Sequence, residues 1–341
     1  MKENERFKKA ISAILILIMI LSLSACNTDS LREYKNAAEK TEQIKKGHTT
    51  GEFSVSMDFN TEGMTGEELK NMNYYKDING SYDAVFDDEA EKVILRNYLN
   101  LGGLGFDYDM YFNGDEMLMK LPVVGKYIKL DDLSSSISEQ NKSISDGMDK
   151  KNIISQETAD GISNSWINLI KRDDVFKGKN IVLTTPDGEV KTTEYTIKLT
   201  DEQIKQLFAE CIELISKDES LRNFYDELKK DIKPLSDTTF EEQIKKIKEQ
   251  KDDFKVENFN YIAHVDIDGY IVNETVELKL SINDKGKGSM LGLEYKLDTK
   301  NWDINKDQSF DFPILTDENT FKTDDMNDSK LMIEDLFKNK N

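Results

Sequence analysis

Few residues in this sequence have the type and spacing to do chemistry. The chain has two cysteines, Cys26 and Cys211, and two histidines, His48 and His264, against 66 acidic residues in 341. Neither histidine has a cysteine or second histidine at metal-ligand spacing, which argues against zinc and copper. His48 follows Gly47 and reads as a loop residue, and His264 reads as solvent-facing, on the polar side of a strand carrying Tyr261, Ala263 and Val265. Asp266, Asp268 and Glu274 offer oxygens suited to calcium, but the twelve-residue EF-hand spacing is missing, so Asp268-Gly269 reads as a hairpin turn. Cys211 shares an apolar helical stripe with Ile204 and Phe208 and reads as a core thiol. G-x-S-x-G, Ser-x-x-Lys, phosphate-loop and dinucleotide patterns are absent, and Leu101 to Gly105 (LGGLG) reads as a bend between strands. With so many carboxylates, a pair at glycosidase spacing would carry no information. The expectation is a non-enzymatic protein with no catalytic residue, no metal and no cofactor.

Cys26 is different. Lys2, Arg6, Lys8 and Lys9 precede an apolar run from Ala10 to Leu23, the layout of a secretory signal peptide over residues 1–25. The run is shorter than the roughly 20 residues a permanent spanning helix needs. It ends in Leu23, Ser24, Ala25 and Cys26, which resembles the bacterial lipobox: small residues fit the peptidase, and the cysteine sulfur takes a diacylglycerol. Cleavage would leave Cys26 as the first residue. Two acyl chains, such as palmitate, would hold the protein to the membrane at roughly 0.8 kcal/mol per buried methylene. The expected location is the cell membrane, lipid-anchored on its extracytoplasmic face.

Charge narrows the partners. The first 25 residues carry four basic and two acidic side chains, so the remaining chain has a formal charge of −22 against −20 for the whole. Such a chain repels phosphate backbones and anionic headgroups, which argues against nucleic acid and against peripheral docking through a basic patch. The sequence names no protein partner. Lys outnumbers Arg 41 to 5, a hint of an AT-rich, low-GC Gram-positive genome. Once Cys26 is lipidated, Cys211 has no intramolecular disulfide partner, so the fold must rest on an apolar core.

The elements follow from periodicity. After a short anchor segment at 26–30, Ser30 to Lys46 predicts a helix with a Ser30/Glu33 capping box, stopped by Gly47. From Gly51 the period becomes two, with Phe53, Val55, Met57 and Phe59 alternating with polar residues. Similar runs fall at Tyr82 to Phe86, Leu104 to Phe112, Met117 to Leu121, Ile181 to Leu183, Tyr195 to Leu199, Phe259 to Val265, Val276 to Ile282 and Leu291 to Leu297. Capping boxes at Thr200/Gln203 and Thr239/Glu242 start helices, and two further helical stretches run through Trp166 and Phe224. The expected fold class is α+β: a curved antiparallel sheet of about nine or more strands, a half-barrel, wet on one face and packed with helices on the other. It forms a single domain over 31–315, with helical insertions near 131–180 and 201–253. Asp131 to Ser155 is a low-complexity stretch that reads as a lid or a weakly ordered insertion, and 316–341 as an acidic flexible tail with one short helix near Leu331 to Phe337.

A helix just after a lipobox, meandering strands and covering helices resemble the LolA-like half-barrel group, which includes the LolA and LolB carriers and the LppX and LprG lipid-binding lipoproteins. The local echoes are Thr185 to Ile204 (TPDGEVKTTEYTIKLTDEQI) and His264 to Leu280 (HVDIDGYIVNETVELKL). The resemblance implies a concave apolar sheet face that accepts acyl chains, lined here by Phe53, Val55, Met57, Phe59, Phe106, Tyr108, Met110, Phe112, Met117 and Met119. The same stripe also reads as ordinary core under the helices. The functional expectation is a membrane-anchored lipoprotein that binds a lipid or acyl group; the alternative is a cell-surface interaction or sensing module without a ligand cavity.

Overall fold

In β1 (Lys46–Phe59), Phe53, Val55 and Met57 point to one side and Ser54, Ser56 and Asp58 to the other. This alternation decides which face of a large sheet is apolar. The structure is a computed structural model that describes residues 30–114, 116–121, 125–129, 154–186, 188–231, 238–249, 254–283 and 290–321. Residues 1–25, read as a signal peptide, Cys26 with the residues that resemble a lipobox, most of the 131–155 stretch and the tail beyond 321 lie outside the described residues.

Ten further strands follow: β2 (Asp77–Asp87), β3 (Lys92–Leu101), β4 (Leu104–Asn113), β5 (Glu116–Leu121), β6 (Lys126–Lys129), β7 (Val175–Thr185), β8 (Gly188–Ile197), β9 (Phe254–Asp266), β10 (Ile271–Ile282) and β11 (Met290–Trp302). They form one antiparallel sheet in the order β6-β5-β4-β3-β2-β1-β11-β10-β9-β8-β7. Two meanders, β1 to β6 and β7 to β11, are joined by the β1–β11 ladder, which runs from His48 opposite Trp302 to Phe59 opposite Met290. β6 and β7 stand at the two ends of this order and do not pair with each other, so the curved sheet is open. The α+β class stands, with eleven strands. β3 and β6 were not foreseen. In β3, Val93 and Leu95 point to one face and Ile94, 2% exposed, to the other, so the period-two signal is erased by burial on both sides.

The helices are α1 (30–42), α2 (Gly66–Lys76), α3 (Gln156–Leu169), α4 (Asp201–Ile215), α5 (Glu219–Asp231) and α6 (Phe240–Glu249). Thr200 caps α4 with Gln203, and Thr239 and Glu242 exchange side-chain and backbone hydrogen bonds before α6, as the sequence predicts. α1 is shorter than expected: it ends at 42, because Lys46 and Gly47 already belong to β1. Lys45 and Lys46 offer their carbonyls to Asp88 N and Asn305 N, which draws the chain into the sheet.

The main core lies between α1, α3, α4 and the β7–β10 part of the sheet. Tyr34, Ala37, Leu169, Ile170 and Ile204 pack there against Val175, Ile197, Tyr261, Ala263 and Val265. A second layer lies on the opposite face. Ile94, Tyr111 and Leu118 form a row covered by Phe310, Phe312 and Leu315, with Tyr127 beside them. Residues 316–321, expected to begin the tail, are held to β6: Tyr127 N donates to Asn319 O, and Phe321 N to Tyr127 O. The face expected to be wet is therefore apolar and covered at one end.

Asp218 ties two helices together. It is 3% exposed, and its carboxylate accepts from Ser155 N at 2.9 Å, Ser155 Oγ at 2.8 Å and Leu221 N at 2.8 Å. Burial alone would raise its pKa, but these bonds and Thr158 outweigh it and lower the value from 3.8 to about 2. A depressed pKa means stability that is present above the unfolded value and lost as pH falls from 3.8 toward about 2. Asp218→Ala is expected to lower unfolding free energy at pH 7 by about 2 kcal/mol and to flatten this acid limb. Denaturant titrations at pH 2 to 7 read both effects. Ile197→Ala, at the fully buried centre of the core, is expected to lose roughly 2–5 kcal/mol, and Met57→Ala, half-buried, under about half as much; equal losses would place the core elsewhere.

Candidate functional site

Register assigns every strand residue to a face. One unbroken row crosses nine strands: Val175, Ile197, Tyr261, Val276, Leu297, Phe53, Gly80, Leu99 and Phe106 are consecutive cross-strand partners. Below it runs Phe259, Leu278, Tyr295, Val55, Ile78, Leu101 and Leu104. Val256, Leu280, Leu293 and Met57 start a third row. Such cross-strand neighbours are close enough to form a continuous surface.

The helices cover this face unevenly. The strand residues in the helix-packed core come from β7 to β10, whereas Phe53, Val55, Met57, Leu99 and Phe106 remain half-buried. All ten residues expected to line a ligand face are half-buried, and register places nine of them on this face; Phe59 lies past a register shift at the end of β1. Eight of them fall into two groups, with Tyr108 between. Phe53, Val55, Met57 and Phe106 belong to the rows above, while Met110, Phe112, Met117 and Met119 lie toward the other strand ends, beside Leu95 and Val93.

Between the groups runs a polar row: Tyr195, Ala263, Glu274, Thr299, Gly51, Tyr82, Asn97 and Tyr108. Sequence reasoning missed it, because its members come from eight strands and no local pattern joins them. Gly51 is needed there: a Cβ at that position would run into the Tyr82 ring, which reaches across to Thr299 Oγ1 at 3.1 Å. Asn97 Nδ2 is buried and has no hydrogen-bond partner among the described residues. A buried unpaired donor costs about 1–3 kcal/mol, a cost an incoming acceptor would offset.

Under the helices the row is ionisable. Tyr261 donates to Glu274, and Trp166 Nε1 donates to Tyr34 Oη at 2.9 Å. Burial raises both tyrosine pKa values. Glu274 keeps some solvent contact at its surface yet lies deep in the fold, and desolvation raises its pKa despite the Tyr261 bond. Glu33 Oε2 accepts from Lys177 Nζ at 2.7 Å and Tyr195 Oη at 2.6 Å. Partial burial works to raise the Glu33 pKa, but those donors hold it below the ordinary value.

The opposite face carries its own polar row, and both histidines stand on that side. His264 is buried, not solvent-facing: Nδ1 meets Asn273 Oδ1 at 2.9 Å, and Nε2 lies 3.8 Å from Glu194. Asn273, also buried, donates to Thr299 O at 2.9 Å and thereby occupies a site where solvent was expected. His48 is a β1 residue against Trp302, ring centroids 5.1 Å apart, and not a loop residue. A groove of about 760 Å³ beside this row is lined by Thr50, Asp83, Arg96, Asp107, Asp109 and Lys300 among others. Cys211 is half-buried, and its surroundings push the thiol pKa up, chiefly by desolvation. Asp266 closes the hairpin turn through Tyr270 N at 2.8 Å, while Glu274 stands apart on the helix face. No group of three metal-ligating side chains occurs among the described residues.

No family model matches the sequence, and no curated protein matches it. Among solved structures, the chain is similar to a LolA superfamily protein from Nitrosomonas europaea, at 10% identity over 86% of this chain and 97% of that one, with a TM-score of 0.21. A DUF1329 family protein from Desulfovibrio piger matches at 7% identity over 82% and 95%, TM-score 0.19. A beta-barrel-like protein of family DUF1849 from Brucella abortus matches at 9% identity over 76% and 100%, TM-score 0.17.

A raised carboxylate pKa sets a pH dependence of opposite sign to that of Asp218. The Glu274 contribution is fully present below its unfolded value of 4.5 and is lost as pH rises through the higher folded value. Glu274→Gln, which can still accept from Tyr261, is therefore expected to gain stability relative to the parent as pH rises from about 4.5 to 7. Paired thermal melts across that range test it; a constant difference would place Glu274 in water.

Proposed function

We propose that this chain is a non-enzymatic lipoprotein, held at the extracytoplasmic face of a membrane through Cys26, that binds a lipid or other acyl-bearing amphipath on the open half of its helix face. One observation carries the reading: the apolar rows continue past the helical cover onto β11 and β1 to β4, where Phe53, Leu99 and Phe106 are only half-buried. An acyl chain laid along them would gain roughly 0.8 kcal/mol for each methylene removed from water. The polar row suits the other end of such a ligand, with Thr299, Tyr82 and the unpaired Asn97 donor beside the chain. Met57, Met110, Met117 and Met119 give the face the adaptability of unbranched thioethers.

The groove on the opposite face supports a second reading, a surface interaction module. Its Asp83, Asp107, Asp109, Arg96 and Lys300 lining suits a polar partner and not an acyl chain.

The first reading is tested by native mass spectrometry of gently purified protein and by titration with a fluorescent fatty acid. Leu99→Glu and Phe106→Glu are each expected to weaken the probe at least tenfold, about 1.4 kcal/mol, while Asp83→Asn and Asp109→Asn leave it unchanged. The reverse pattern favours the second reading. For the anchor, Cys26→Ser should move the protein from the membrane fraction to the soluble one and remove the mass of the diacylglyceryl group; unchanged partition would refute lipidation.

A further inference from the structure

We propose that the β7 margin of the sheet, with Phe176, Val182, Lys179 and Lys198, lies against the anionic surface of the bilayer that holds Cys26. The inference rests on the anchor reading above and adds an orientation to it. α1 crosses the sheet from the β7 side. Its Glu33 is tied to Lys177 on β7 and Tyr195 on β8, its Tyr34 meets Trp166 and the Tyr261 ring of β9, and its Thr41 accepts from Ile271 N at 2.8 Å, at the start of β10. The chain therefore enters α1 from beside β7. From Cys26 to Ser30 is four residue steps, at most about 14 Å of extended chain. A lipid on Cys26 keeps this margin near the bilayer.

The margin itself is unusual for this protein. Phe176 and Val182 are 50% and 55% exposed. They pair with Thr196 and Lys191, which places them on opposite faces, one on each side of the free edge. Residues 175–186 contain no carboxylate and two lysines, Lys177, ion-paired with Glu33 at 2.7 Å, and Lys179, in a chain of net charge −20. Lys198 Nζ lies 5.6 Å from the centre of the Phe176 ring. Lysines on an edge strand ordinarily keep it from pairing with other chains. Exposed Phe and Val do not serve that purpose. Apolar side chains framed by lysines suit the boundary between headgroups and acyl chains, and repulsion of the acidic remainder favours this one margin. β1 lies five strand spacings away, about 24 Å, so the open apolar rows would stand clear of the headgroups.

The test uses the full lipidated chain with Cys211→Ser, in vesicles of phosphatidylcholine with 30% phosphatidylglycerol. Single cysteines are introduced as Lys179→Cys on β7 and Asn113→Cys at the β4–β5 turn, labelled with a fluorophore, and quenched by headgroup-nitroxide lipid. Quenching at 179 is expected to exceed that at 113 at least threefold, to fall when phosphatidylglycerol is omitted, and to fall with Phe176→Asp. Equal quenching at the two sites, with the protein still floating with the vesicles, overturns the orientation. A ratio indifferent to lipid charge overturns the electrostatic part. Failure of the lipidated chain to float at all would instead defeat the anchor reading.

Discussion

The β1–β11 ladder is the interaction on which the rest of the structure depends. β1 lies at the start of the folded chain and β11 near its end, and closing so long a loop carries an entropic penalty that grows only slowly with length. A long register of paired residues, from His48 opposite Trp302 to Phe59 opposite Met290, offsets it. Each meander by itself is a local structure of neighbouring strands. Joined, they place Phe53 beside Leu297 and Gly51 beside Thr299, and those two contacts extend an apolar row and a polar row across both halves.

Unequal cover is the second consequence. Helices α1, α3 and α4 bury the β7–β10 half, where Ile197 and Ala263 are fully enclosed. The first meander has its own tight layer on the other face, under Phe310 and Phe312. Each half is thus stabilised from a different side. The helix face over β1 to β5 is left with half-buried Phe, Leu and Met, less enclosed than the β7–β10 half.

Much of this was legible in the sequence. Alternation in β1, β4 and β9, and the boxes at Thr200/Gln203 and Thr239/Glu242, fix backbone hydrogen bonding over a few residues, so local spacing was enough. α2 was not foreseen: it had a signal, the Thr65/Glu68 capping box, but its helix buries little and carries exposed Leu69, Tyr74 and Tyr75, so no apolar stripe marks it. β3 escaped because both its faces are apolar. His264 looked exposed because parity placed it correctly on the polar side, but parity cannot say that Asn273 and Glu194 converge on it there.

By itself, the sequence determined the class of fold and which residues share a face, since the two-residue period of a strand is a local property of the backbone. It also carried the lipobox-like run from Leu23 to Cys26, a pattern that depends on neighbours alone. Only the tertiary structure decided that Glu274, Thr299, Tyr82 and Asn97 form one row and that Phe53 stays half-open while Ile197 does not. Those outcomes depend on strand register and on where helices dock, and both are set by contacts between residues far apart in the chain.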